Sequence, residues 1–109
     1  MFLIASAAAF AAIPVTAFAP ASVALVNGTG GPIRSIEIRK AATASWSAGP
    51  TVTADGARTA WTFDSDDCAY DLRATMASGE VLSFMGVNPC DARMLTLRRN
   101  GGAGWVDYD

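Results

Sequence analysis

The chain has 109 residues, room for one small domain, with eight basic and ten acidic residues, a formal net charge of −2 and no histidine. Without imidazole there is no Ser–His or Cys–His nucleophile pair and no histidine ligand for zinc or copper. Acids outnumber bases, and Arg39, Arg93, Arg98 and Arg99 build no basic stripe, which argues against a nucleic-acid partner.

The first 33 residues carry no charged side chain. Met1 to Ile13 is apolar and alanine-rich, Pro14 ends any helix, and small residues follow. Ala17-Phe18-Ala19 and Ala19-Pro20-Ala21 both fit a small-x-small cleavage site. Residues 1–21 therefore read as a secretory signal peptide, with cleavage after Ala21 preferred because proline just after a cut is disfavoured. Its amino-terminal region lacks Lys or Arg, the one departure from the usual leader. The rival is an uncleaved anchor from Phe2 to about Val26; two prolines and a short apolar core argue against it. Residues 22–109 remain as a single exported domain, periplasmic or extracellular, with no membrane span after leader cleavage.

Val23 to Val26 is a short apolar run, and Asn27-Gly28-Thr29-Gly30-Gly31-Pro32 is turn chemistry throughout. Ile33 to Arg39 then alternates, so the two runs read as a hairpin or as adjacent strands. Lys40 to Pro50 is a small polar loop whose one large residue, Trp46, is expected to pack back on the domain. Arg58 to Phe63 places Thr59, Trp61 and Phe63 on one face. Asp64-Ser65-Asp66-Asp67 leads on to the most specific stretch, Cys68 to Cys90.

That stretch reads as one β-hairpin closed by a disulfide. Tyr70, Leu72, Ala74 and Met76 share a face, Ser78-Gly79-Glu80 is a loop, and Val81 to Val87 returns. With Gly79 at the turn centre, Met76 faces Leu82 and, further out, Cys68 faces Cys90. Opposed Cβ atoms lie about 4.5–5.5 Å apart, just beyond disulfide range, and a bulge at Gly86 or the turn before Pro89 would shift the register by one. Closing such a loop is worth roughly 3 kcal/mol in the chain-entropy model. A single cysteine pair with no leftover thiol fits an oxidising compartment. Ala92 to Arg99 is the last strand, and a flexible tail is expected from about residue 100. No segment of the mature chain sustains a helical period. Six short strands between turn signals predict an all-β fold, a small antiparallel β-sandwich or barrel.

The matching stretches are Leu25-Val26-Asn27-Gly28-Thr29-Gly30 with Ile33, Trp46 in its loop, Gly56 and the strand to Phe63, Cys68-Ala69-Tyr70-Asp71-Leu72-Arg73, and Asn88-Pro89-Cys90. On these the chain resembles a family of small exported bacterial proteins of uncharacterised function. The family's tryptophan loop is rich in Ser, Asp and Gly, whereas here it is Ala-Ala-Thr-Ala-Ser-Trp-Ser, without an acid. The resemblance implies export and a β fold, and supplies neither an activity nor catalytic residues. With a bacterial source, the Asn27-Gly28-Thr29 match to a glycosylation site carries little weight.

The expected function is a non-catalytic binding or envelope-interaction module, with no cofactor, no metal and no catalytic residue assigned. Trp46 and Trp105, in loop and tail, are the candidate surface for a protein or carbohydrate partner. Two other classes are weighed. Asp64, Asp66 and Asp67, with Asp71 beyond, form the densest group of hard oxygen ligands and would suit a calcium-dependent module, though the spacing is not that of an EF-hand. A small hydrolase would need two carboxylates facing one cleft.

Overall fold

The alternating segments become strands whose inward residues meet in one core. A computed structural model describes residues 20–109, and these hold eight strands: β1 (Pro20–Asn27), β2 (Ile33–Lys40), β3 (Ser47–Ala48), β4 (Arg58–Asp64), β5 (Tyr70–Met76), β6 (Val81–Val87), β7 (Met94–Asn100) and β8 (Ala103–Tyr108). They form two four-stranded sheets, β4-β1-β7-β8 and β3-β2-β5-β6, packed as a sandwich. The core is the set that alternation selects, including Val23, Leu25, Trp61, Leu72, Ala74, Phe84, Leu95 and Leu97, together with Val52 from a loop. Most of the expected leader, residues 1–19, lies outside the described residues. Pro20 and Ala21 open β1 opposite Asp64 and Phe63, so cleavage after Ala21 would shorten that strand by two residues.

All six expected strands are present, but their pairing departs from the sequence reading. β1 and β2 are not a hairpin and lie in different sheets. The cause is Asn27, fully buried at the end of β1. Its Nδ2 donates to the carbonyls of Gly31, Thr53 and Ala54 at 2.9, 3.2 and 3.2 Å, and its Oδ1 accepts from the Thr29 N–H and hydroxyl at 3.1 and 2.6 Å. The side chain thus folds the glycine-rich segment against the loop before β4, and the chain crosses to the second sheet. Gly56, at φ 83°, gives its N–H to the Asn27 carbonyl while the Asn27 N–H bonds to Ala57, a bulge that only glycine enters cheaply. Nor is the sandwich wholly antiparallel, because β1 runs parallel to β7 along Ala24–Asn27.

The stretch from residue 100 is a strand rather than a flexible tail. Gly101-Gly102 is a two-residue turn with Gly101 at φ 61°, and β8 pairs with β7 from Asn100↔Ala103 to Leu95↔Tyr108. β8 also closes one side of the sandwich against β6. The Tyr108 hydroxyl accepts from the Asn88 N–H at 3.0 Å, and Arg99 pairs with Glu80 at 2.7 Å. A Cβ on Gly104 would stand 2.7 Å from both the Ser83 carbonyl oxygen and the Phe84 ring. Gly104→Val should therefore cost about 2 kcal/mol or more through overpacking. Urea denaturation that leaves the midpoint unchanged would remove this account of the closed side.

The central hairpin forms with a different register. Met76 donates to Glu80 across a loop in which Gly79 takes φ 96°, so Leu82 faces Ala74 rather than Met76. The inward face survives because the difference is an even number of residues. A bulge at Met85-Gly86, where Gly86 takes φ 64°, then brings Val87 opposite Tyr70, and the flanking loops complete the shift. Cys68 and Cys90 are bonded, with Cα atoms 5.5 Å apart. Each sits in a segment that crosses between the sheets, β4 to β5 and β6 to β7, so the disulfide ties two crossings together.

Candidate binding groove on the open side

Of the four sheet edges, β6 and β8 lie against each other and β3 is two residues long. The remaining edge, β4, carries seven residues and, among the described residues, has no strand on its outer side. The bond from Asn27 to Ala57 fixes the parity: Thr59, Trp61 and Phe63 turn their backbone polar groups toward β1, and Arg58, Ala60 and Thr62 turn theirs outward. The Ala24→Arg93 and Gly28→Leu97 bonds on the opposite side of β1 demand the same alternation.

Beside this edge lies a groove of about 550 Å³, between β4 and the segment that runs from β2 through β3. A smaller hollow of about 280 Å³ continues along Ala60–Thr62 toward Gly49 and Pro50. The groove is walled by the buried aromatic cluster of Trp61, Phe63 and Tyr70, with the Trp61 and Tyr70 rings edge-on at 5.2 Å. Its rim carries the side chains of Thr43, Ser45, Ser47 and Thr62, with Arg39, Lys40 and Asp64 at one end. Lys40 lies 3.5 Å from Asp64 and 4.0 Å from Asp67. Desolvation works against its charge, but Asp66 and Asp64 outweigh it and hold the ammonium above its ordinary pKa. Burial, then Asp67 and Asp64, push the Tyr70 phenol up, so it stays protonated and donates to the Asp64 carbonyl at 3.3 Å.

The acidic turn does not assemble a cation cage. Lys40 stands against two of its carboxylates, Asp67 also accepts from the Ala69 N–H, and Asp71 belongs to another site. Among the described residues no three Asp, Glu or Cys side chains converge as metal ligands would. Nor do two carboxylates share the groove, which Asp64 alone lines.

The two tryptophans named from sequence do not form one surface. Trp46 is half-buried, with the guanidinium groups of Arg39 and Arg73 at 4.4 and 4.2 Å from its ring. Those arginines face Asp71 and Glu37 across β2 and β5, at 3.0 and 2.7 Å, so the indole rests on an ion-pair ladder on the outer face of that sheet. Trp105 is 47% exposed and stands beside Arg98 on the outer face of the other sheet. Sequence reasoning missed the groove because it depends on which strand ends a sheet, and that is set by long-range pairing.

Asp71, on the face of β5 opposite Tyr70 and Leu72, is a buried acid, 4% exposed. Its Oδ1 accepts from the Gly86 N–H of the bulge at 2.9 Å and its Oδ2 from Arg39 at 3.0 Å. The Gly86 bond and then Arg39 hold its pKa below the ordinary value, against the opposing effect of desolvation. The sign follows: the stabilisation is complete above the unfolded pKa of about 3.9 and is lost as pH falls through the lower folded value. Asp71→Asn should lower the melting temperature at neutral pH and flatten its decline below about pH 4. Parallel melting curves for the two proteins from pH 7 to pH 2 would rule this out.

A solved NMR structure of a protein from Eubacterium rectale has a similar fold, with a TM-score of 0.55 at 12% sequence identity, covering 82% of this chain and 87% of that one. At that identity the likeness extends to the fold alone. No family model matches the sequence, and no curated protein does.

Proposed function

We propose that this chain is an exported, disulfide-stapled binding module without a catalytic role, and that it makes contact through the open side of the sandwich. The observation that carries the reading is the β4 edge, unpaired among the described residues, beside an aromatic-walled groove of about 550 Å³. An exposed edge of this length is normally blunted by charge, proline or a covering segment, because it invites another strand. Here its central residues are Ala60, Trp61 and Thr62, with the indole turned inward. Export is supported by the Cys68–Cys90 bond, which persists in an oxidising compartment, and by the leader-like composition of residues 1–21. Among the described residues no helix is long and apolar enough to cross a membrane. The absence of catalysis is supported by the lack of histidine and by the scatter of the acids: Asp71, Glu37, Asp107 and Glu80 each pair with a different arginine, and Asp64 and Asp67 share Lys40.

Two measurements test the reading. Intact mass of protein recovered from the envelope should match the chain without its leader, unalkylated until reduced; a full-length mass with two reactive thiols would refute export. A photo-crosslinking residue at Thr62 should give adducts in envelope preparations that the same probe at Asp91 does not. Equal yields at both positions would refute the open side as the contact surface.

A further inference from the structure

Resting on that reading of the open side, we infer that its partner is a second copy of this chain, joined edge to edge through β4. The outward backbone groups belong to the even-numbered residues Arg58, Ala60 and Thr62. An antiparallel β4–β4 pairing satisfies them only when outward residues face outward residues. Registers about Ala60, Trp61 or Thr62 meet that condition, but the one centred on Trp61 is the register that pairs the whole seven-residue strand. It sets Ala60 opposite the partner's Thr62, both small enough not to crowd a neighbouring strand. It also sets Arg58 opposite the partner's Asp64, and Asp64 opposite the partner's Arg58.

The charges are available for this. Arg58 donates to the Met94 sulfur at 3.1 Å and has no ion pair among the described residues. The Asp64 side chain is 66% exposed and meets Lys40 through one oxygen. The arrangement is self-complementary about a two-fold axis and closes at two subunits, as an isologous interface does. It joins the two β4-β1-β7-β8 sheets into one eight-stranded sheet and turns the two grooves toward each other, so each sandwich covers the open side of the other.

Sedimentation of the oxidised, exported protein at low salt should show a concentration-dependent dimer. Thr62→Pro removes one outward N–H and no bond to β1, so it should abolish the dimer while the melting temperature of the monomer is largely kept. Arg58→Asp and Asp64→Arg should each weaken dimerisation about tenfold to a hundredfold, and the double reversal should restore it to within about threefold, because opposite charges face each other again only in this register. A protein that stays monomeric up to about 1 mM overturns the inference, as does a dimer indifferent to all three changes. If the protein is monomeric and the Thr62 probe still gives its adducts, the open side binds a foreign polypeptide: the self-pairing is then wrong and the binding reading stands. If both are lacking, both fall.

Discussion

Asn27→Ala should destabilise the domain by about 2–4 kcal/mol, a large part of the margin of so small a fold. The side chain is fully buried and makes five hydrogen bonds, three as donor and two as acceptor. Alanine leaves the Thr29 N–H without its acceptor and withdraws a donor from three carbonyls. Asn27→Asp is the sharper variant. It keeps the shape, yet puts a carboxylate oxygen where Nδ2 faced those carbonyls, so it should be at least as damaging at neutral pH. Chemical denaturation of both variants is the measurement; a loss under about 0.5 kcal/mol for alanine would mean that the crossing from β1 to β2 is held by something else.

Cys68→Ser/Cys90→Ser should cost about 3 kcal/mol, a fall in melting temperature of about 10–20 °C for a domain of this length. The bond closes a loop with a sequence separation of 22 and ties the β4–β5 crossing to the β6–β7 crossing. The hairpin ladder between β5 and β6 does not depend on it, so the double variant should still fold at low temperature, with the Asp64–Ala69 segment cut first by protease. Equal melting temperatures for the oxidised protein and the double variant would show that the crossings are pinned by packing instead.

What the sequence made legible was local. Alternation picked out the inward residues of β4 and β5, from Trp61 and Phe63 to Leu72 and Ala74, because a strand's own pleat sets them. The disulfide was legible despite a wrong turn centre, since loop irregularities between the hairpin ladder and the cysteines absorbed the difference. β8 had a readable signal, the Gly101-Gly102 turn between alternating residues, that was taken as flexibility. Placing β1 and β2 in different sheets was not legible, because a turn-forming asparagine looks the same in sequence whether it caps a hairpin or is buried as a hub. The burial of Asp71 was not legible for a similar reason: it depends on Gly86 and Arg39, 15 and 32 residues away. The open side follows from strand order alone, which no local pattern encodes.

Asn27 is followed by Gly28, the sequence in which a backbone nitrogen most readily attacks a side-chain amide and converts asparagine to aspartate through a succinimide. In the folded domain that nitrogen is bonded to the Leu97 carbonyl at 2.8 Å and the amide is held by its five bonds, so the attack has no room to proceed. An unfolded chain has no such protection. Its product carries the carboxylate that the three carbonyls reject. At this site the domain therefore ages chemically only while it is unfolded, and each conversion there removes a molecule from the pool able to return. Peptide mapping at Asn27 after storage in buffer and in urea should show conversion in urea alone; equal conversion in both would mean that the buried amide is not protected.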